Sequence, residues 1–152
     1  MILFTDGYLL SDEVSERAPL SHARILWDAY PVTWSASSEA DTFEAESVAN
    51  PMTFRRWRST AGNSWLKAEM HTGEAVNAIG IAAHRLRGRS VVIESSEDDS
   101  EWTPEHSVAV STDGAILLLM QDTVRPYWRI RVSGGIAEIG VVFIGRTLDM
   151  QR

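Results

Sequence analysis

The sequence predicts an all-β chain, an antiparallel β-sandwich of about ten short strands. Apolar and polar residues alternate over short runs. Leu66, Ala68 and Met70 fall on one face of Ser64–Met70, with Lys67 and Glu69 on the other. Turn signals recur every 8–12 residues or so, among them Asp113-Gly114 and Gly134-Gly135. Almost no stretch carries the helical period.

Met1 to Leu20 reads as an N-terminal arm. Its Leu9, Leu10, Val14 and Ala18 hint at one amphipathic turn, but Asp12, Glu13, Glu16 and Pro19 give little reason for a stable helix. From Ser21 the pattern is β: His22 to Trp27, then Pro31 to Ala36, with proline at a strand start where no ladder donor is missed. Asp41 to Ala49 suits one or two helical turns, with Asp41 as N-cap, Glu44 three residues on and Pro51 as the stop. Further strands are expected at 54–59, 64–70, 75–84, 90–95, 107–111, 115–121, 126–133 and 138–145. Residues 21–145 thus form one sandwich, and 146–152 a C-terminal tail. The interior is expected to be lined by Ile79, Ile81, Ile130, Val132, Val141 and Phe143.

A chain of 152 residues can bury roughly 70% of its unfolded surface as one domain. It has no cysteine, which excludes disulfides, thiol nucleophiles and cysteine zinc sites. Asp6 interrupts the only apolar start, so a signal peptide is not expected, and no apolar run is long enough to span a bilayer. The net charge of −7 argues against nucleic acid as a partner. Thirteen arginines accompany one lysine, Lys67, and arginine suits ordered, bidentate contacts.

The four histidines, His22, His71, His84 and His106, lack ligand spacing and read as isolated surface or strand-end residues. Glu97, Asp98 and Asp99 are adjacent on an exposed loop, which does not create the split pKa pair that acid–base catalysis needs. No nucleophile elbow or phosphate loop is present. No catalytic residue is assigned, and an enzyme is not expected.

Three pieces carry a family resemblance. Val32 to Ser38 leads through a long loop to Arg55-Arg56-Trp57. An apolar run then ends in Ser95-Ser96-Glu97-Asp98-Asp99-Ser100-Glu101-Trp102-Thr103, and Tyr127-Trp128-Arg129-Ile130-Arg131-Val132 closes the series. In that order they resemble a discoidin-like (coagulation factor 5/8 C-type) β-sandwich, over about Leu20 to Gly145. Leu20 to Ile25 and Ile81 to Leu86 resemble the small discoidin-like proteins of tailed-bacteriophage virions. Where the family has Asp-Gly this chain has Asn50-Pro51, whose proline removes a donor and fixes φ. No metal site is therefore carried over, although Asp41, Glu44, Glu46 and Asn50 offer oxygens, and no cofactor is expected.

The resemblance implies a structural component of a bacteriophage tail tip or baseplate. It would sit in the virion tail after synthesis in the host cytoplasm and contact other tail proteins and itself as a homo-oligomer. Interface residues would be Phe4, Tyr8, Leu9 and Leu10 of the arm, with Arg55, Arg56 and Arg58. The alternative is a carbohydrate-binding module or adhesin recognising host-surface glycans. Of the six tryptophans, Trp34, Trp57 and Trp65 would be its sugar platforms, while Trp27, Trp102 and Trp128 plug the sandwich.

Overall fold

The computed structural model describes residues 24–149. The arm, with Phe4, Tyr8, Leu9 and Leu10, lies outside them. In chain order the described elements are β1 (Arg24–Ala29), β2 (Val32–Ala36), a 3-10 helix (Ala45–Ala49), β3 (Trp57–Arg58), β4 (Ser64–Met70) and β5 (Val76–Ala82). Then come β6 (Ser90–Ser96), β7 (Thr103–Ala109), β8 (Ile116–Thr123), β9 (Tyr127–Ser133), β10 (Glu138–Ile139) and β11 (Val141–Asp149). Every pairing among them is antiparallel.

Two sheets form the sandwich. One has the order β1-β11-β5-β8, the other β2-β4-β9-β6-β7, and the short β10-β3 pair closes one end. The alternation in β4 appears as expected: Leu66 and Ala68 are fully buried while Glu69 is exposed. Ile79, Ile81, Ile93, Ile130, Val132, Val142 and Ile144 meet in the main core. Trp57 belongs to the same core at 0% exposure, its indole N–H donating to the Ser38 carbonyl at 3.0 Å.

The final segment corrects two expectations. Residues 138–145 do not form one strand, because Gly140 separates β10 from β11. A Cβ at Gly140 would lie 2.8 Å from the Ala83 Cβ and 3.0 Å from its carbonyl oxygen. Only glycine admits that approach. Val142 and Ile144, not Val141 and Phe143, then face the other sheet. Phe143 joins Leu26, Ala78 and Leu119 in a second buried cluster. With both faces of β11 apolar, alternation could not reveal its phase. The strand also continues to Asp149, pairing with β1 through Arg24↔Asp149 and Leu26↔Thr147, so 146–149 belong to the sheet rather than to a free tail.

Smaller differences have local causes. The helical turn begins at Ala45 after Glu44, which makes no side-chain cap; Glu39 instead accepts the Ala45 N–H at 2.9 Å. Strand β7 starts at Thr103, four residues early, and tolerates Pro104 because it is an edge strand with a register shift. Residues 54–56 are turn rather than strand, the Arg55 N–H donating to the Met52 carbonyl at 3.1 Å.

The core makes a direct prediction. Ile130→Ala should lower unfolding free energy by about 2–5 kcal/mol in urea denaturation, whereas Leu148→Ala, at a half-exposed site, should change it by less than about 1 kcal/mol.

Candidate functional site

The closed end of the sandwich gathers charges that lie far apart in sequence. Strand β10 pairs with β3 through Glu138↔Arg58 and Ile139↔Trp57. That register sets one carboxylate among three guanidiniums. Arg58 donates from Nε and Nη2 to Glu138 Oε2 at 3.0 and 2.7 Å. Arg56 Nη1 donates to Oε1 at 2.8 Å, and Arg85 Nε stands 3.6 Å from the same oxygen. Phe43 backs Arg58, with the guanidinium 4.2 Å from the ring centroid.

Burial pushes the Glu138 carboxyl up, but hydrogen bonds from Arg58 and Arg56 and the charges of Arg58 and Arg85 outweigh it and hold it below its ordinary value. Its side chain is 9% exposed, whereas that of Arg85 is 67% exposed. The carboxylate thus fixes Arg56 and Arg58 and leaves Arg85 with donors toward solvent. The turn from Met52 to Arg55 is tied to this cluster by Arg56, whose Nε donates to the Thr53 carbonyl at 3.2 Å, and in that turn Phe54 is 74% exposed and Met52 is also open.

His84 supports the same end. It is buried just past the end of β5, which corrects the expectation of a surface residue but keeps it at a strand end. Its Nδ1 accepts the Leu86 N–H at 3.3 Å and its Nε2 lies 2.6 Å from the Gly114 carbonyl, so that nitrogen carries the proton. Burial lowers its pKa, partly opposed by the Gly114 bond and the nearby Asp113.

The outer face of the five-stranded sheet is the second candidate region. Lys67 Nζ lies 5.8 Å from the ring centroids of both Trp65 and Tyr127 and 2.5 Å from Asp99. Arg129 lies 4.0 Å from the Trp102 centroid and donates to Glu94 at 2.7 Å, and Arg131 reaches Glu94 at 3.1 Å. The acidic loop is a structured turn. The Glu101 N–H, then the Ser100 hydroxyl and N–H, bond to Asp98 and hold its carboxyl well below the usual carboxylate range.

These positions redistribute the residues that the sequence singles out. Trp34, Trp57 and Trp65 do not form one platform. Trp34 and Trp57 are core residues with no face for a sugar, and Trp65 alone of the three lies half-buried on an outer face. Trp128 is a buried core residue, but Trp102 lies against Arg129 outside the core. Arg56 and Arg58 come together on Glu138 instead of standing as independent rim charges, while Arg55 is exposed. Sequence reasoning missed Glu138, Arg85 and Phe43. Eighty-two residues separate Arg56 from Glu138, and no motif joins them.

No protein-family model and no curated protein matches the sequence. Solved structures do. A pectin-binding carbohydrate-binding module aligns at TM-score 0.67 and 18% identity, covering 78% of this chain and 93% of that one. The CBM32 of AlyQ in complex with 4,5-unsaturated mannuronic acid aligns at 0.68 and 19%, covering 78% and 98%. A CBM32 module from Clostridium perfringens in complex with GalNAc-β-1,3-galactose aligns at 0.69 and 12%, covering 78% and 100%. This likeness shows the fold, a discoidin-like β-sandwich. It also corrects the main expectation of a bacteriophage tail-tip or baseplate component, because these neighbours are carbohydrate-binding modules.

The charged cluster has a pH signature. The folded pKa of Glu138 is depressed, so its contribution is fully present above the ordinary value of 4.5 and is lost as pH falls through the folded value. The lowered His84 acts in the same direction from 6.5 downward. Glu138→Gln should cost about 1–2 kcal/mol at pH 7 and flatten the acid limb of stability, read from urea midpoints between pH 3 and 7.

Proposed function

We propose that this chain is a carbohydrate-binding module whose glycan contact is the loop end around Arg58, Arg85 and Glu138. The carrying observation is the three-to-one ratio of guanidiniums to carboxylate, with the outermost guanidinium largely open to solvent. A glycan offers hydroxyls in many directions, and a guanidinium supplies several fixed donors to meet them. Phe54 and Met52 add the apolar surface on which a sugar ring can rest.

The charge balance favours a sugar that carries a carboxylate. Within the ion-pair network Arg56, Arg58 and Arg85 outnumber Glu138 three to one. Arginine forms paired, charge-assisted hydrogen bonds with carboxylates. The ligands of the pectin-binding and mannuronic-acid-bound neighbours support this direction at the level of the fold.

Isothermal titration with oligogalacturonate and oligomannuronate tests the reading. The wild type should bind at least one, more weakly as salt rises. An Arg58→Ala, Arg85→Ala double variant should lose tenfold or more in affinity. Absence of wild-type binding, or binding indifferent to both substitutions, would overturn the assignment.

A further inference from the structure

We infer that the outer face of the five-stranded sheet is a second glycan-contact surface, shaped for an uncharged stretch of polysaccharide. The inference rests on the carbohydrate-binding reading above but uses different residues and a different probe. Trp65, Tyr127 and Trp102 are half-buried there, and each has a cation against its ring. Lys67 pairs with Arg129 across β4 and β9, while Tyr127 pairs with Glu69. Trp65 and Tyr127 therefore stand four residues apart along the strand direction, and their rings, each 5.8 Å from Lys67 Nζ, lie no more than about 12 Å apart, a span longer than one sugar ring.

Charge decides the class of occupant. On the outward positions of β4, β9 and β6, Lys67, Arg129 and Arg131 stand against Glu69 and Glu94, and Asp99 from the adjoining loop makes the signs equal. An acidic polymer gains no net attraction from such a surface, in contrast to the loop end. A neutral sugar does, because each hydroxyl both donates and accepts and here finds guanidinium N–H groups beside carboxylate oxygens.

The groups are also held in place before any ligand arrives. Glu94 is 6% exposed and anchors Arg129 and Arg131, and Trp102 lies against Arg129. Little side-chain freedom is lost on contact. The strip meets the loop end at Trp65, whose N–H donates to Ser37 Oγ at 2.9 Å while its carbonyl accepts the Ser37 N–H at 3.0 Å. A polymer on the face could therefore continue toward the loops.

Affinity gel electrophoresis with soluble galactan, glucomannan, xylan and mixed-linkage β-glucan tests this. At least one should retard the wild type. Trp65→Ala with Tyr127→Ala should weaken that retardation tenfold or more while leaving oligouronate titration intact, and the Arg58→Ala, Arg85→Ala variant should show the reverse. Should the double alanine variant fail to fold, wild-type indole emission should shift on adding the polymer and most of that shift should vanish in Trp65→Phe. No retardation by any neutral polymer, undiminished retardation of a folded double variant, or an unchanged emission response in Trp65→Phe would overturn the second surface. Failure of the loop-end reading appears separately, as absent oligouronate binding.

Discussion

The contact between Gly140 and Ala83 governs how the final stretch of the described chain, residues 138–149, is used. A side chain at position 140 would collide with Ala83, which itself sits at φ 53. Because the backbones can touch there, the final apolar run divides into two parts. Its first two residues pair with β3 and close the sandwich, and its remainder crosses to pair with β5 and β1. The register of the first part sets Glu138 opposite Arg58 and Ile139 opposite Trp57. The charged cluster, the buried tryptophan beneath it and the phase of β11 all follow from that division.

The two candidate surfaces use arginine differently. At the loop end one carboxylate organises several guanidiniums, and the imbalance leaves charge directed outward. On the sheet face, Glu94 neutralises Arg129 and Arg131, Asp99 of the adjoining loop neutralises Lys67, and aromatic rings cover part of the cations. Both arrangements depend on antiparallel register, which brings Glu94 opposite Arg129 and Glu138 opposite Arg58 from distant parts of the chain. The fold supplies these positions, while the loops and outward residues decide what is recognised.

Much of the fold was legible because its signals are local. The period-2 pattern of Ser64–Met70 and the glycine turns report directly on backbone geometry, and the strand ends they imply fall close to those observed. The site was less legible. The sequence singled out Trp34 and Trp57 as solvent-facing, but an indole has enough apolar area to be more useful inside, and nothing local marks which face of a two-residue strand points in. Arg56 and Arg58 stood out as a cluster, yet their partner Glu138 lies in an apolar segment with no charge pattern around it. The fully apolar surroundings of Val141 to Ile144 likewise hid the one-residue phase that separates the two buried clusters.

Strand β7 has a consequence beyond recognition. It is the outermost strand of its sheet, and Pro104 leaves a gap in the row of amide hydrogens that an incoming strand would need. The register shift between Ile93 and Glu94 bends the same rim. Together they discourage another molecule from lengthening the sheet, a hazard of open β edges that leads to fibres. That rim of the five-stranded sheet is thereby closed to strand addition by a second copy of the chain.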